Sequence, residues 1–182
     1  MEPMDGERRE ILLKLEAGAD ALANAWRDVD EQSARCKPSP ESWSVLECVA
    51  HVTLTERALM SRLKEAKDGG HSHEDRAREE KFEGLALNRS RRIEAPPPVR
   101  PDCNSKTLAQ AVEDFNATRR DTVRFVQEFG GDLRSWLTVH PLITRPVNCY
   151  EMLLLIALHP ARHAQQIAEI REQLSSPRSP ME

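Results

Sequence analysis

The stretch Ser44-Val45-Leu46-Glu47-Cys48-Val49-Ala50-His51 begins a helix, and its reading fixes how the rest of the chain is parsed. A Ser hydroxyl and, three residues on, a Glu carboxylate are the two halves of a capping box, each satisfying a backbone donor that the first helical turn leaves without a partner. Pro38 and Pro40 interrupt any helix before it, and Asp68-Gly69-Gly70 offers the left-handed conformations that close a helix after it. The pattern predicts a helix from Ser44 to about Lys67.

Upstream, Ile11, Leu15, Leu22 and Trp26 recur at three- to four-residue spacing and predict a first helix over about Glu7–Gln32. Downstream, Thr107-Leu108-Ala109-Gln110 repeats the capping box, and Leu108, Val112, Phe115 and Val126 mark the inner stripe of a third helix that stops at Gly130-Gly131. Asn148-Cys149-Tyr150-Glu151 caps a fourth, with Val147 and Met152 placed as a hydrophobic staple, and this helix is expected to reach about Leu174. The sequence thus reads as one all-α four-helix domain over residues 1–174. The tail 175–182, with Pro177 and Pro180 and no apolar face to bury, is expected to be disordered.

Between the second and third helices lies a connection far longer than the 12–15 or so residues at which structureless loops become uncommon. It holds Pro96, Pro97, Pro98 and Pro101 and the basic residues Arg89, Arg91 and Arg92. A crossover of this length lets the third helix run parallel to the second. The charges from Glu74 to Lys81 read as a solvated segment with at most a short helical turn.

Composition narrows the function classes. The 182 residues carry 26 Lys plus Arg against 30 Asp plus Glu, a net charge of −4, and a protein that tracks phosphates would show a basic surplus or face. Nucleic acid is therefore not an expected partner. Aromatics at 4% and 7 glycines are low for an all-β sandwich. The longest apolar run, Met152 to Leu158, is far below the roughly 18 residues of a membrane span. The first residues, Met1-Glu2-Pro3-Met4-Asp5-Gly6-Glu7, are polar and acidic where a signal peptide is basic and then apolar, so a cytoplasmic location is expected. Cys36, Cys48, Cys103 and Cys149 form no C-x-x-C pair, which excludes a thiolate zinc knuckle and predicts reduced thiols, Cys48 and Cys149 as small buried hydrophobes.

Six histidines are present, and His51, His159 and His163 fall inside helical patterns. Positions four apart share a helix face, so His159 and His163 can hold one ion, and the second-helix stripe Trp43, Glu47, Ala50, His51, Leu54 and Ala58 can face them. Three imidazoles suit Zn²⁺, Ni²⁺, Fe²⁺ or Cu²⁺ rather than Ca²⁺ or Mg²⁺. Three ligands instead of four leave a position for water or substrate, where a divalent ion makes water or a thiol a nucleophile near neutral pH. The plainer alternative is that helical histidines four apart arise by chance and hydrogen-bond or face solvent. No Glu follows His159, so the general base of H-E-x-x-H metalloproteases is missing. Pro160 either bends a continuous fourth helix or restarts it. The bend is favoured because the apolar pattern resumes without a turn-rich gap, whereas a restart would rotate His163 away from His159.

Two segments carry a family resemblance. Pro40-Glu41-Ser42-Trp43-Ser44-Val45-Leu46-Glu47-Cys48-Val49-Ala50-His51 resembles the Trp-Ser-x-x-Glu-x-x-x-His signature of the DinB/YfiT-like superfamily, and His159-Pro160-Ala161-Arg162-His163-Ala164-Gln165-Gln166-Ile167 resembles its closing H-x-x-R-H-x-x-Q-I pattern. The resemblance implies an up-down-down-up four-helix bundle with a divalent metal, zinc or nickel, held by His51, His159 and His163, and a homodimer. It also implies a thiol-dependent transferase or isomerase using bacillithiol, mycothiol or glutathione, or a metal-dependent hydrolase. Two departures stand out. The mycothiol-linked branch has a Glu among its fourth-helix ligands where this chain has His159, and Leu54 stands where relatives often carry an acidic residue.

Around the triad, Glu47 can orient an imidazole or simply complete the cap, and the cap is the favoured role. Gln166 can hydrogen-bond near the site or meet the second helix. Arg162 is expected in a surface ion pair, His140 as an exposed loop histidine, and Trp43 and Trp136 as core or staple residues that can also wall a cavity. Arg89, Arg91 and Arg92 can meet an anionic cosubstrate. The expected function is metal-dependent activation of a low-molecular-weight thiol or of water toward a small-molecule substrate. The alternative is a metal-containing binding or dimerisation module without catalysis.

Overall fold

A computed structural model describes residues 6–71, 74–90, 94–104 and 106–175. In chain order it contains α1 (Gly6–Trp26), α2 (Glu31–Arg35), α3 (Val45–Lys64), β1 (Lys67–Asp68), α4 (Arg76–Leu87), a 3-10 turn at Pro97–Val99, α5 (Leu108–Glu128), β2 (Trp136–Thr138), β3 (Val147–Asn148) and α6 (Cys149–Ser175). The four long helices α1, α3, α5 and α6 form a bundle. Val45, Leu46 and Val49 at the start of α3 share an apolar cluster with Leu108, Ala111 and Phe115 at the start of α5, and with Leu22, Ile167 and Ile170 near the ends of α1 and α6. The direction sequence is therefore up, down, down, up. At the opposite end, Ile11 and Leu15 join Leu59, Met60, Leu63, Val126 and the run from Met152 to Ala157.

A polar layer separates the two clusters. Arg119 of α5 is 7% exposed and donates to Glu56 Oε2 of α3 at 2.8 Å and to the Leu15 carbonyl of α1 at 2.7 Å, while the Thr122 hydroxyl donates to Glu56 Oε1 at 2.7 Å. An ion pair this buried leans on further hydrogen bonds, which the two Arg119 amino groups make although its Nε is buried without a partner. Arg119 also lies 3.4 Å from the carbonyl of Ile156, the group left without its helical donor because residue 160 is proline. This explains how α6 runs unbroken from Cys149 to Ser175 with Pro160 inside it.

The capping boxes at Ser44/Glu47 and Thr107/Gln110 are both formed. At the head of α6, Asn148 Oδ1 accepts from the Glu151 amide at 2.8 Å and Glu151 Oε2 accepts from the Asn148 amide at 3.0 Å. Several boundaries differ from expectation. The first helix does not reach Gln32 but stops at Trp26, because Asp30 caps a separate turn, its carboxylate accepting from the Ser33 amide at 2.8 Å. The second helix ends at Lys64, not Lys67, because Lys67 and Asp68 pair with Leu137 and Trp136 in a small antiparallel sheet of order β1-β2-β3. That sheet ties the end of α3 to the start of α6, with Leu137 and Thr138 opposite Asn148 and Val147.

The crossover also corrects the expectation of a solvated 74–81 segment. It contains the 12-residue α4, with Phe82 in the core and Glu79 buried against Arg134 at 2.8 and 3.0 Å. Arg78 donates to Glu151 at 2.7 Å and Lys14 to Glu83 at 2.8 Å, so charged contacts hold most of α4 to the bundle. Only residue 175 of the expected disordered tail is described, and it closes α6. Residues 176–182 lie outside the described set.

Helices α1 and α6 approach closely at Gly18. A Cβ there would sit 2.1 Å from the carbonyl oxygen of Ala157, a backbone atom that cannot step aside. At an open helical site, Gly to Ala stabilises by up to about 1 kcal/mol, and Gly84 in α4 has no atom within 4 Å of such a Cβ. Urea denaturation should show G18A destabilised by about 1–3 kcal/mol, as overpacking predicts, and G84A unchanged or slightly more stable. Equal midpoints for G18A and the parent would contradict the close approach.

Candidate metal centre

His51 comes from the second turn of α3, and His159 and His163 come from one face of α6 on either side of Pro160. Their ligand nitrogens lie within 4.8 Å of one another, and the ring centroids are 5.1 Å (His51 to His159), 4.9 Å (His51 to His163) and 4.5 Å (His159 to His163) apart. His51 and His163 are 6% and 5% exposed, and His159 is half-buried.

The outward nitrogens of two rings are engaged. His51 donates Nδ1–H to the Val99 carbonyl at 2.8 Å, an oxygen that can only accept. His163 Nδ1 meets Gln166 Oε1 at 2.9 Å. With both Nδ1 atoms carrying the proton, the Nε2 lone pairs turn inward, and His163 Nε2 lies 3.0 Å from His159 Nε2. Two lone pairs at that distance repel unless a proton or a cation lies between them. Tetrahedral zinc with bonds of ~2.0–2.1 Å places its nitrogens roughly 3.3 Å apart, close to this separation.

Electrostatics keep the rings in the ligating form. Burial, and then the neighbouring imidazoles, hold His163 well below the ordinary histidine range, and burial with the charges of His51, Arg162 and Arg119 does the same for His159. Burial lowers His51, opposed by its bond to Val99. Neutral imidazoles fit a first-row transition ion and not calcium or magnesium, which take oxygen.

Other residues fall as follows. The Trp43 ring lies 4.6 Å from His51 and stacks over His163 at 6.0 Å, so it walls the site, whereas Trp136 packs edge-on to Phe129 elsewhere. Gln166 Oε1 lies 2.9 Å from His163 Nδ1. The Glu47 carboxylate is engaged by the Ser44 amide and by Lys37 at 2.7 Å, so it caps α3 and does not orient His51. Ala50 and Leu54 line a cleft of about 260 Å³ together with Pro98 and Arg100 of the crossover. Arg162 donates to the Asn88 carbonyl at the end of α4. His140 is half-buried, not exposed, its Nδ1 accepting from the Leu142 amide at 3.1 Å. Arg89 is bound to Glu169 and Gln166 and is not open to an anionic cosubstrate. Arg91 and Arg92 lie outside the described residues.

Two contacts were not anticipated. Thr55 Oγ1 lies 3.4 Å from His51 Nε2, and its place one helical turn after His51 was a readable signal. The Val99 carbonyl had none, because a backbone group's direction is set by how the Pro-rich crossover folds.

No cysteine belongs to the cluster. Cys48 and Cys149 are buried, and desolvation raises both thiols, Cys149 to about 12. At pH 8 Ellman's reagent should modify exposed Cys36 promptly and leave Cys48 and Cys149 untouched until the protein is unfolded. Rapid reaction of all four thiols in the native protein would contradict this packing.

The DinB superfamily model matches residues 14–167. Among solved structures, the chain is similar to YfiT from Bacillus subtilis, described as a probable metal-dependent hydrolase with an unusual four-helix bundle topology. The TM-score is 0.58 at 13% identity, covering 96% of this chain and 91% of that one. No curated protein matches the chain. With the family model spanning all four bundle helices and the same bundle topology in a solved relative, this chain belongs to the DinB superfamily.

Proposed function

We propose that the protein is a divalent-metal-dependent enzyme whose ion is held by His51, His159 and His163 with one coordination position open. The observation that carries this reading is the inward convergence of three neutral imidazoles, two of them fixed from behind at Nδ1. Among the described residues no carboxylate or thiolate joins the three to close the site. A structural zinc site would have a fourth protein ligand, so the donor set favours catalysis over a purely structural module.

When bound, a zinc- or nickel-like ion supplies Lewis acidity at the open position, where water or a low-molecular-weight thiol becomes nucleophilic near neutral pH. The chain's own residues do the rest. Val99 and Gln166 orient two imidazoles, and Trp43 excludes solvent from one side. The Thr55 hydroxyl stands 3.4 Å from His51 Nε2, beside the nitrogen that would hold the ion. Among the described residues no carboxylate joins the triad as a general base, which suits a nucleophile that needs none. A low-molecular-weight thiol, acidified by the bound ion, would meet that requirement. The reading extends to a cytoplasmic, dimeric enzyme for a small electrophilic substrate. Four unpaired cysteines accord with a reducing compartment, and no described helix is long and apolar enough to cross a membrane.

Elemental analysis after dialysis against zinc or nickel should give one equivalent per chain. His51→Ala should abolish it while the far-UV helical signal persists. Metal-loaded protein should then conjugate a model electrophile with bacillithiol, mycothiol or glutathione, or hydrolyse an activated ester, and chelation should stop the reaction. Absence of metal uptake with all three histidines intact would overturn the proposal. Uptake without turnover of any of these substrates would favour the non-catalytic module.

A further inference from the structure

The crossover reaches the site twice. Its 3-10 turn presents the Val99 carbonyl to His51, and Arg89, just after α4, reaches α6 beside His163. Arg89 donates Nε and Nη2 to Glu169 Oε1 and Oε2 at 2.9 and 2.5 Å, a two-point clamp that fixes the plane of the guanidinium. Its remaining amino group, Nη1, then faces Gln166 Oε1 at 3.4 Å, the same oxygen that meets His163 Nδ1 at 2.9 Å.

We infer that Arg89 is a positioning residue for His163, acting through Gln166 to decide which ring nitrogen keeps the proton. A glutamine amide is nearly isosteric about its long axis, yet one side only accepts hydrogen bonds and the other only donates them. If the NH₂ side faced His163, Nδ1 would have to be the bare nitrogen and the proton would move to Nε2, pointing into the triad. The carbonyl side demands the reverse. A guanidinium carries donors and no acceptor, so in front of it the amide turns its oxygen. That same oxygen selects Nδ1–H on His163 and leaves Nε2 bare toward His51 and His159. His51 needs no such guard, because the Val99 carbonyl cannot exchange its oxygen for a donor.

The consequence for metal affinity rests on the reading of the site as a metal centre. The tautomer does not, and it can be measured without metal. Long-range proton–nitrogen correlation spectra of metal-free, ¹⁵N-labelled protein at pH 8 should show His163 as the Nδ1–H form in the parent. R89A should populate the Nε2–H form as well. In Q166E the carboxylate can only accept, so the R89A/Q166E double variant should return to Nδ1–H alone. In chelator competition R89A should weaken zinc binding by about tenfold, the lower end of what loss of an outer-shell partner does, and this loss should disappear in the Q166E background. A merely structural role for Arg89 would weaken zinc equally in both backgrounds and leave the tautomer alone. The inference is overturned if R89A keeps His163 wholly in the Nδ1–H form, or if the change persists in R89A/Q166E. Failure of the parent to take up zinc would sink the metal reading instead, and the spectra would still decide the role of Arg89.

Discussion

Pro160 removes one backbone donor from the middle of the longest helix, and the centre of the bundle is arranged around that loss. The carbonyl of Ile156 has no helical amide to receive, in a stretch of α6 that packs into the apolar core. Arg119 approaches it from α5 and at the same time takes the Leu15 carbonyl of α1, so one guanidinium serves two neighbouring helices. A cation at this depth requires a counter-charge, and Glu56 of α3, itself held by Thr122, supplies it. All four bundle helices therefore meet in one polar layer, and the two apolar clusters lie on either side of it.

The same layer sets the conditions of the candidate site. His159 and His163 flank Pro160, and α1 packs against this turn of α6 at Gly18, where there is no room for a methyl group. The charge of Arg119 reaches His159 and, after burial, His51 and Arg162, helps keep it neutral. A neutral imidazole is the form that ligates a metal. The crossover completes the arrangement from outside, through the Val99 carbonyl and the Arg89–Gln166 pair. The rigid helices bring the nitrogens together and the strap determines which of them are bare.

Much of this was legible in the sequence, because it depends on local rules. Three capping signals placed the starts of the second, third and fourth helices, and the i,i+4 spacing of His159 and His163 put both on one face. Continuation through Pro160 followed from an apolar pattern that never breaks. The misses were cases where distant residues overrode local ones. The 74–81 charges looked solvated because the partners of Arg78 and Glu79, Glu151 and Arg134, lie far away in sequence. Lys67 and Asp68 became a strand only because Trp136 and Leu137 pair with them. Asp30 was a readable cap that the long apolar stripe of the first helix concealed. Glu47 fitted two roles by position with the cap favoured, and its carboxylate indeed meets the Ser44 amide and Lys37.

The central claim is that three imidazole nitrogens and one exchangeable ligand surround a single ion. X-ray absorption at the metal edge of the zinc-loaded protein tests it most directly. The account requires three nitrogen scatterers with imidazole signatures at ~2.0–2.1 Å and a fourth light scatterer that is replaced by sulfur at ~2.3 Å when a low-molecular-weight thiol is added and binds. A shell of oxygens alone, or a fourth histidine that no added ligand displaces, would contradict it.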